Sequence, residues 1–254
     1  MDLAFLIGIV LAFGSLYAMI TLEGAHVDAL LIPAPMVLVF GATIAVGIAG
    51  ATLSDAMRAF RAVPRAIRGR TAKPQDTIDR LVELAEKARR EGLLSLEQDA
   101  AETEDPFLRN ALQNIADGTD GDELRTLLEE EVASKERVGM QSARFFKALG
   151  GYAPTVGIIG TVVSLTHVLE KLDSPDTLGP SIATAFVATL WGLLSANFIW
   201  LPLGDRIARL TTLEAENMTL VMEGALAVQS GSQPRILGER LRAIAPGVEQ
   251  LEAA

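Results

Sequence analysis

Long uncharged segments alternate with charged ones along this chain. Four segments contain no Asp, Glu, Lys or Arg, and they are Leu3–Leu22, Leu30–Leu53, Ala148–Leu169 and Pro180–Leu203. A helix needs about 20 predominantly apolar residues to cross a hydrocarbon layer about 30 Å thick. Each segment reaches that length, so the pattern predicts four membrane-spanning helices, called spans one to four in chain order.

The charged segments have helical periodicity. From Thr77 onward apolar positions recur every three to four residues, with Asp76 or Thr77 as the candidate N-cap and Gly92 as the candidate stop. Residues 122–147 and 205–229 are predicted to be helices continuous with spans three and four. No strand pattern is present. The predicted fold is therefore an all-α membrane protein with four transmembrane helices, of which spans three and four extend into the cytoplasm, and a small helical cytoplasmic domain.

The distribution of basic residues predicts the orientation of the spans. Of the 22 Lys and Arg residues, 16 lie from Arg58 to Lys147 and none precedes Arg58. Basic residues concentrate on the cytoplasmic side of a bilayer, so the short loops 23–29 and 170–179 are predicted to lie outside and both termini inside. Four regions follow: a transmembrane hairpin at 1–53, a cytoplasmic helical domain at 54–147, a second transmembrane hairpin at 148–204 and a cytoplasmic helical tail at 205–254.

Composition narrows the possible functions. Half of the residues are apolar, the mean hydropathy is +0.32 and the net charge is -10. Such an apolar chain does not suit a soluble globular enzyme, whose surface must face water. Its net negative charge repels phosphate, which argues against a nucleic-acid-binding protein. It has no Cys and only two His, which excludes a thiolate zinc site and leaves little acid–base chemistry. We expect no enzymatic activity, no metal site and no cofactor.

Spans three and four contain hydroxyl and amide side chains but no Asp, Glu, Lys or Arg, and the one histidine, His167, is expected at the interface near the outer end of span three. Membrane pumps usually place an ionisable residue inside the bilayer, so a titrating group would have to come from another polypeptide. One interpretation is a water-accessible path lined by hydroxyls; the other is that these groups hold neighbouring helices together. These polar residues include Thr155, Thr161, Ser164 and Thr166 in span three, and Thr184, Thr189, Ser195 and Asn197 in span four.

Several motifs, in order along the whole chain, resemble the flagellar stator A-subunit family, the MotA/PomA-like proteins. They are Met1–Gly8, Ala88–Glu97, Tyr152–Thr161, Gly179–Gly192, Ala196–Pro202 and Gln233–Arg235. The resemblance implies a homo-oligomeric ring, a pentamer, around a dimer of a single-span B-subunit that carries a membrane Asp. It also implies that the protein is located in the bacterial cytoplasmic (inner) membrane and contacts the flagellar rotor switch protein. Ion flow through the complex would then drive torque on the rotor.

The resemblance also implies roles for particular residues. Arg89 and Glu97, with Arg90 as an addition, match the charged residues that meet the rotor. Two prolines match the pair that couples ion passage to motion, and two threonines match hydroxyl positions along the ion path. The prolines are Pro154 and Pro202, and the threonines are Thr161 and Thr189.

Two departures from the sodium-driven members bear on the transported ion. Those members carry a Thr-Thr pair in span four, where this chain has Ala188 before Thr189, and an Asp before span two, where Leu31–Pro35 is apolar. A dehydrated sodium ion needs several oxygen ligands, and Ala188 supplies one hydroxyl fewer. The sequence therefore favours H+ over Na+.

Two other interpretations remain open at this point. A TolQ/ExbB-like subunit that energises outer-membrane processes would resemble this chain in spans three and four, but such proteins have three spans rather than four. A passive membrane scaffold would use the same hydroxyls only to join helices. Replacing Thr189 with Val separates a scaffold from an ion path.

Overall fold

The computed structural model describes residues 3–69, 71–170 and 175–245, and every regular element in this part of the chain is helical. Short 3-10 turns precede α2 and α5, and a π turn separates α8 from α9. The helices are α1 (Ala4–Leu22), α2 (Pro33–Ala49), α3 (Leu53–Arg68), α4 (Pro74–Glu91), α5 (Leu96–Glu102), α6 (Pro106–Ala116), α7 (Gly121–Glu170), α8 (Pro175–Leu194), α9 (Leu201–Gln229) and α10 (Pro234–Ile244).

The chain forms two compact units. Unit one comprises Met1–Arg70 and Gly139–Arg209, and unit two comprises Thr71–Val138 and Leu210–Ala254. The four regions predicted from the sequence stay a prediction, because packing units and membrane regions divide a chain by different criteria.

Three helical segments in the described part are long and apolar enough to cross a membrane: Ala4–Leu22, Gly121–Glu170 and Leu178–Gln229. The second uncharged segment forms the shorter apolar helix α2, of 17 residues. Two prolines in the first turn of α2 explain its late start, since the residue before a proline is biased away from helical backbone. Its C-cap is Gly50, and Thr52 then caps α3 by accepting a hydrogen bond from the Asp55 amide.

The fourth uncharged segment is not a regular α-helix throughout. Ser195–Trp200 forms a π turn between α8 and α9, which sequence periodicity did not predict. The Leu201 amide donates to the carbonyl of Ala196, five residues earlier, and the next residue, Pro202, has no amide hydrogen to donate. Short π turns inside helices are frequent at functional sites.

Aromatic side chains join the helices of unit one. Phe60 lies edge-on to Phe146, with ring centroids 5.7 Å apart, and Phe146 stacks on Trp200 at 6.4 Å. Trp191 donates from Nε1 to the carbonyl of Leu30 at 2.7 Å. This bond fastens α8 to the turn that precedes α2, and so positions the part of span four that contains Thr189.

Unit two has a continuous hydrophobic core. The core is built from α4, α5, α6 and α10 together with residues of α7 and α9, and its most deeply buried members include Ile78, Leu81, Leu96, Leu112 and Leu237. These positions recur at helical spacing, as the sequence predicts.

The two ends of α4 compare differently with the prediction. Gly92 ends the helix with a φ of +86°, a conformation that favours glycine. The predicted N-cap at Asp76 or Thr77 is wrong: the cap is Lys73, and Pro74 occupies the first helical position. Proline suits that position because its missing amide hydrogen would have no helical partner there.

Asp99 is a buried acid inside the otherwise apolar face of α5. It is 6% exposed, and its carboxylate accepts hydrogen bonds from Arg80 at 2.8 Å and from Lys87 at 2.7 Å. Its hydrogen bond with Asp99 raises the pKa of Lys87 above the ordinary lysine value. α5 has only seven residues and is too short to be stable alone, so this ion triad and the burial of Leu96 hold it on α4.

Removing the Asp99 carboxylate should destabilise unit two. Hydrogen bonds to charged groups are typically worth about 1.5–3 kcal/mol each when buried, and Arg80 is partly exposed, so we expect Asp99→Ala to cost about 2 kcal/mol. Because the pKa of Lys87 is raised, its contribution is present at neutral pH and is lost as the pH rises through the folded-state pKa.

Chemical denaturation of the purified protein, followed by circular dichroism, measures this effect. Glu97→Ala is the matched control, since it removes a carboxylate from the same helix at an exposed position without a described partner. Equal stability of the Asp99→Ala and Glu97→Ala proteins would show that the triad does not stabilise the fold.

Candidate functional site

Two glycines let α7 and α8 approach closely in unit one. A Cβ placed on Gly157 would lie 2.9 Å from the carbonyl oxygen of Ala188, and one on Gly192 would lie 2.8 Å from that of Ala153. Real Cβ atoms do not approach backbone atoms so closely, and only residues without a side chain fit. We call this contact between α7 and α8 the glycine seam.

A pair of threonines bridges the two helices beside the glycine seam. The hydroxyl of Thr161 on α7 is hydrogen-bonded to the hydroxyl of Thr189 on α8. The Thr161 Oγ1 atom also lies 3.1 Å from the carbonyl oxygens of Gly157 and Ala185. A hydroxyl has one hydrogen to donate and two lone pairs. When Thr161 donates to a carbonyl, Thr189 therefore donates to Thr161 and keeps its own lone pairs available.

The other hydroxyl and amide groups of these spans behave differently. Five of them donate to a carbonyl three or four residues earlier in the same span, which satisfies them locally: Thr155, Thr166, Thr184, Ser195 and Asn197. Among the described hydrogen bonds of the span three and span four hydroxyls, those of Thr161 and Thr189 reach across to the other helix. These are the two threonines that the resemblance identified, and their role along an ion path stays a prediction.

The remaining predicted residues of this region lie close by in sequence or space. Ala188 is fully buried, and its Cβ faces Gly160 of α7 across the glycine seam. Pro154 lies inside α7, three residues before Gly157, and Pro202 follows the π turn directly after Leu201. Both prolines are half-buried. Their roles, and that of Ala188, stay predictions.

The predicted rotor-contact residues lie in unit two. Arg89 and Arg90 are in the last turn of α4, and Glu97 is in the first turn of α5, after the turn at Gly92. All three side chains are exposed. No residue in the described part of the chain forms an ion pair or a side-chain hydrogen bond with any of them. Their charges are therefore available to an external partner, and their role in binding the rotor stays a prediction.

Two features of these regions were missed in the sequence. Asp99 follows the charged motif by two residues, and its spacing from Leu96 and Ala100 would have placed it on the buried face of α5. The Thr161 hydroxyl also lies within hydrogen-bonding distance of the Ala185 carbonyl on α8. This acceptor is a backbone group, so no pattern of side chains reveals it.

Both halves of the chain match known protein families. Residues 99–219 match the MotA/TolQ/ExbB proton channel family, and residues 6–92 match the N-terminal region of motility protein A. Together with helices long and apolar enough to span a bilayer, this makes the chain a membrane protein.

Individual relatives cover nearly the whole chain. Motility protein A of Bacillus subtilis (strain 168) is 35% identical over 259 residues, which cover 100% of this chain and 94% of that protein. Chemotaxis protein PomA of Vibrio alginolyticus is 31% identical over 242 residues, covering 95% of this chain and 94% of that protein.

Two solved structures have the same fold. A chain of the flagellar MotAB stator complex from Bacillus subtilis superimposes with a TM-score of 0.88 at 32% identity, and 100% of each chain is covered. A chain of C. jejuni MotAB gives a TM-score of 0.93 at 26% identity, with 97% of each chain covered. The chain therefore belongs to the motility protein A group of the MotA/TolQ/ExbB proton channel family, and it is a subunit of a flagellar stator.

Proposed function

We propose that this stator subunit couples inward proton flow to torque on the flagellar rotor, using the Thr161–Thr189 pair as part of the proton path. The single observation that carries this proposal is the hydroxyl pair across the glycine seam, in spans that contain no carboxylate. The relatives described above are a motility protein and a chemotaxis protein, which favours this function over a TolQ/ExbB-like one and over a passive scaffold.

The proposed topology has four spans with both termini in the cytoplasm of a bacterial inner membrane. In this topology α2 is the second span. Its 17 residues are just long enough for a helix to cross a bilayer. Support for the orientation comes from the four arginines of α3, which directly follow α2, and from the absence of Lys and Arg in the loop 23–29.

The proposed assembly supplies the titrating group that the chain lacks. The relatives' structures are of MotAB complexes, and we propose that this chain likewise surrounds a dimer of single-span B-subunits as a homo-oligomeric ring, a pentamer. A membrane Asp of the B-subunit takes up the proton. A neutral carboxyl costs much less to hold against apolar helices than a charged one, so protonation lets the ring step to a new register.

The proposed ion is the proton rather than sodium. Sodium would need several oxygen ligands near Thr189, but the side chain of the neighbouring Ala188 has no oxygen and is buried against Gly160. The stretch Leu31–Pro35, which includes the start of α2, is likewise apolar. A proton needs only a chain of hydroxyls and water along which it can move.

The proposed rotor contact is formed by Arg89, Arg90 and Glu97. Exposed charges without internal partners guide and align a charged partner more than they add affinity, and screening by salt weakens them. The charge pattern fits a rotor switch protein with complementary charges on its surface.

The charge reversals Arg89→Glu and Glu97→Lys, made together, test this contact. In a strain lacking the native gene, the wild-type gene should restore swimming to flagellated but paralysed cells, whereas the double variant should leave speed at least tenfold lower. Both side chains are exposed, so the variant protein should reach wild-type abundance in the membrane. The control is Arg109→Glu, an exposed reversal on α6. Wild-type swimming of the double variant would exclude this rotor contact.

Ion replacement in the same strain tests the proton. Swimming of the restored cells should survive removal of sodium and stop on addition of a protonophore. Dependence on sodium would overturn the proposed ion while leaving the stator assignment intact. Normal swimming of the deletion strain, with a leaky envelope or failed nutrient import, would instead favour the TolQ/ExbB-like function.

A further inference from the structure

A half-open cavity of about 490 Å³ lies within unit one, between α1 and the segment that runs from the π turn into α9. Phe5, Gly8 and Ile9 of α1 give it an apolar wall, and Arg206 and Arg209 give it a basic end. Its volume falls within the range of small-molecule sites, and it is far larger than an inorganic ion requires.

The two arginines differ in their hydrogen bonds within the protein and in their exposure. Arg206 donates from Nε to the carbonyl of Ala66 at 3.3 Å. Arg209 is exposed, and no residue in the described part of the chain forms a hydrogen bond or ion pair with its guanidinium. The acid beside them, Asp205, also lines the cavity but is paired with Lys147 at 2.7 Å. The guanidinium of Arg209 is therefore the charge at this end that is open to an anion.

We propose that this cavity binds an anionic phospholipid, with the phosphate at Arg209 and Arg206 and the acyl chain along Phe5, Gly8 and Ile9. The inference rests on the proposed topology, which places both arginines at the cytoplasmic end of the fourth span. A basic pocket between transmembrane helices at that level matches anionic head groups. A guanidinium presents paired N–H groups that fit phosphate oxygens, while the apolar wall matches a hydrocarbon chain and not a soluble anion.

Gly8 offers a way to fill the cavity without disturbing the protein. A Cβ placed on Gly8 would meet no atom within 4 Å, so a larger side chain there projects into the cavity. Gly14, on the same helix, has equally open surroundings but does not line the cavity. Gly8→Leu and Gly14→Leu are therefore a matched pair that adds the same side chain to the same helix.

Native mass spectrometry of the full chain, purified with its partner subunit and stripped of lipid, measures binding directly. The probes are phosphatidylglycerol, phosphatidylethanolamine and inorganic phosphate. We expect wild type to retain phosphatidylglycerol in preference to phosphatidylethanolamine. Arg209→Gln should lower retention about five-fold, equivalent to about 1 kcal/mol for one basic residue near a bilayer surface. Gly8→Leu should lower it at least as much.

The controls should bind like wild type. They are Gly14→Leu and Arg144→Gln, the second being an exposed arginine of α7 that does not line the cavity. Equal retention of both lipids, or equal retention by all variants, would overturn the proposal. Displacement of the lipid by millimolar phosphate would assign the basic end to a free anion, and a crosslink from Gly8→Cys to a second copy would assign the cavity to a ring neighbour. Since binding is measured without rotation, these results do not depend on the torque function.

Discussion

Replacing Thr189 with Val should abolish proton-driven swimming while the stator complex still assembles. Valine has almost the same shape as threonine but no hydroxyl, so the packing of α7 against α8 is kept. The hydrogen bond to Thr161 is lost, and with it the hydroxyl relay across the glycine seam. We expect proton flux through the complex, measured as acidification of vesicles containing it, to fall at least tenfold.

The size of the effect separates an ion path from a structural role. Hydrogen bonds between membrane helices stabilise by about 0.6 kcal/mol on average and by about 1.7 kcal/mol at most. A loss of that size changes the folded fraction of a stable complex very little. A tenfold loss of flux corresponds to about 1.4 kcal/mol on the barrier to transport, and it would appear with the amount of complex unchanged.

Thr189→Ser is the matched control, because it keeps the hydroxyl and removes only a methyl group. It should retain most of the flux. A second control is Thr184→Val, which removes a hydroxyl that bonds only to its own helix, at the carbonyl of Pro180. If Thr189→Val swims like wild type, the pair serves only to join helices, and the proposed proton path is wrong.

Much of this architecture could be predicted because it follows from local pattern. The uncharged segments predicted the apolar helices, and the stop of α4 at Gly92 followed from the need for a positive φ. The helix of the second uncharged segment was predicted too long, because apolar length alone does not show where prolines start a helix and Gly50 ends it. The π turn at Ser195–Trp200 has no periodic signature, since a single inserted residue shifts the register within an apolar segment whose two sides look alike.

The candidate site was predictable in its side chains but not in its geometry. Family resemblance identified Thr161 and Thr189, but the pattern of residues alone did not distinguish them from the other polar residues in the same spans. What distinguishes them is the direction of their hydrogen bonds, which depends on how α7 and α8 pack. Asp99 was missed for a related reason: a charge on a helix is expected to face water unless the partners that neutralise it, here Arg80 and Lys87, are known.

Gly157→Ala should disable the stator by the opposite route, adding volume while leaving every hydroxyl in place. The new Cβ would lie 2.9 Å from the Ala188 carbonyl oxygen, 3.1 Å from the Gly192 Cα and 3.3 Å from the Thr189 Cα. All three are backbone atoms, which cannot move aside as a flexible side chain can, so α7 and α8 must separate. Overpacking of this kind costs about 1–3 kcal/mol, and it lengthens the Thr161–Thr189 hydrogen bond as well.

Gly151→Ala makes the same chemical change on α7 where a Cβ would meet no atom within 4 Å. Alanine favours a helix over glycine by about 1 kcal/mol, so Gly151→Ala should match or exceed wild type in thermal stability, and Gly157→Ala should melt lower despite the same gain. Swimming should be kept in the first and lost in the second. Thr189→Val removes a hydroxyl without adding volume, whereas Gly157→Ala adds volume and keeps both hydroxyls. Loss of flux in both variants would show that transport needs both hydroxyls and the short distance between them. Normal flux in Gly157→Ala, with its stability lowered, would show that close contact of the helices serves folding alone.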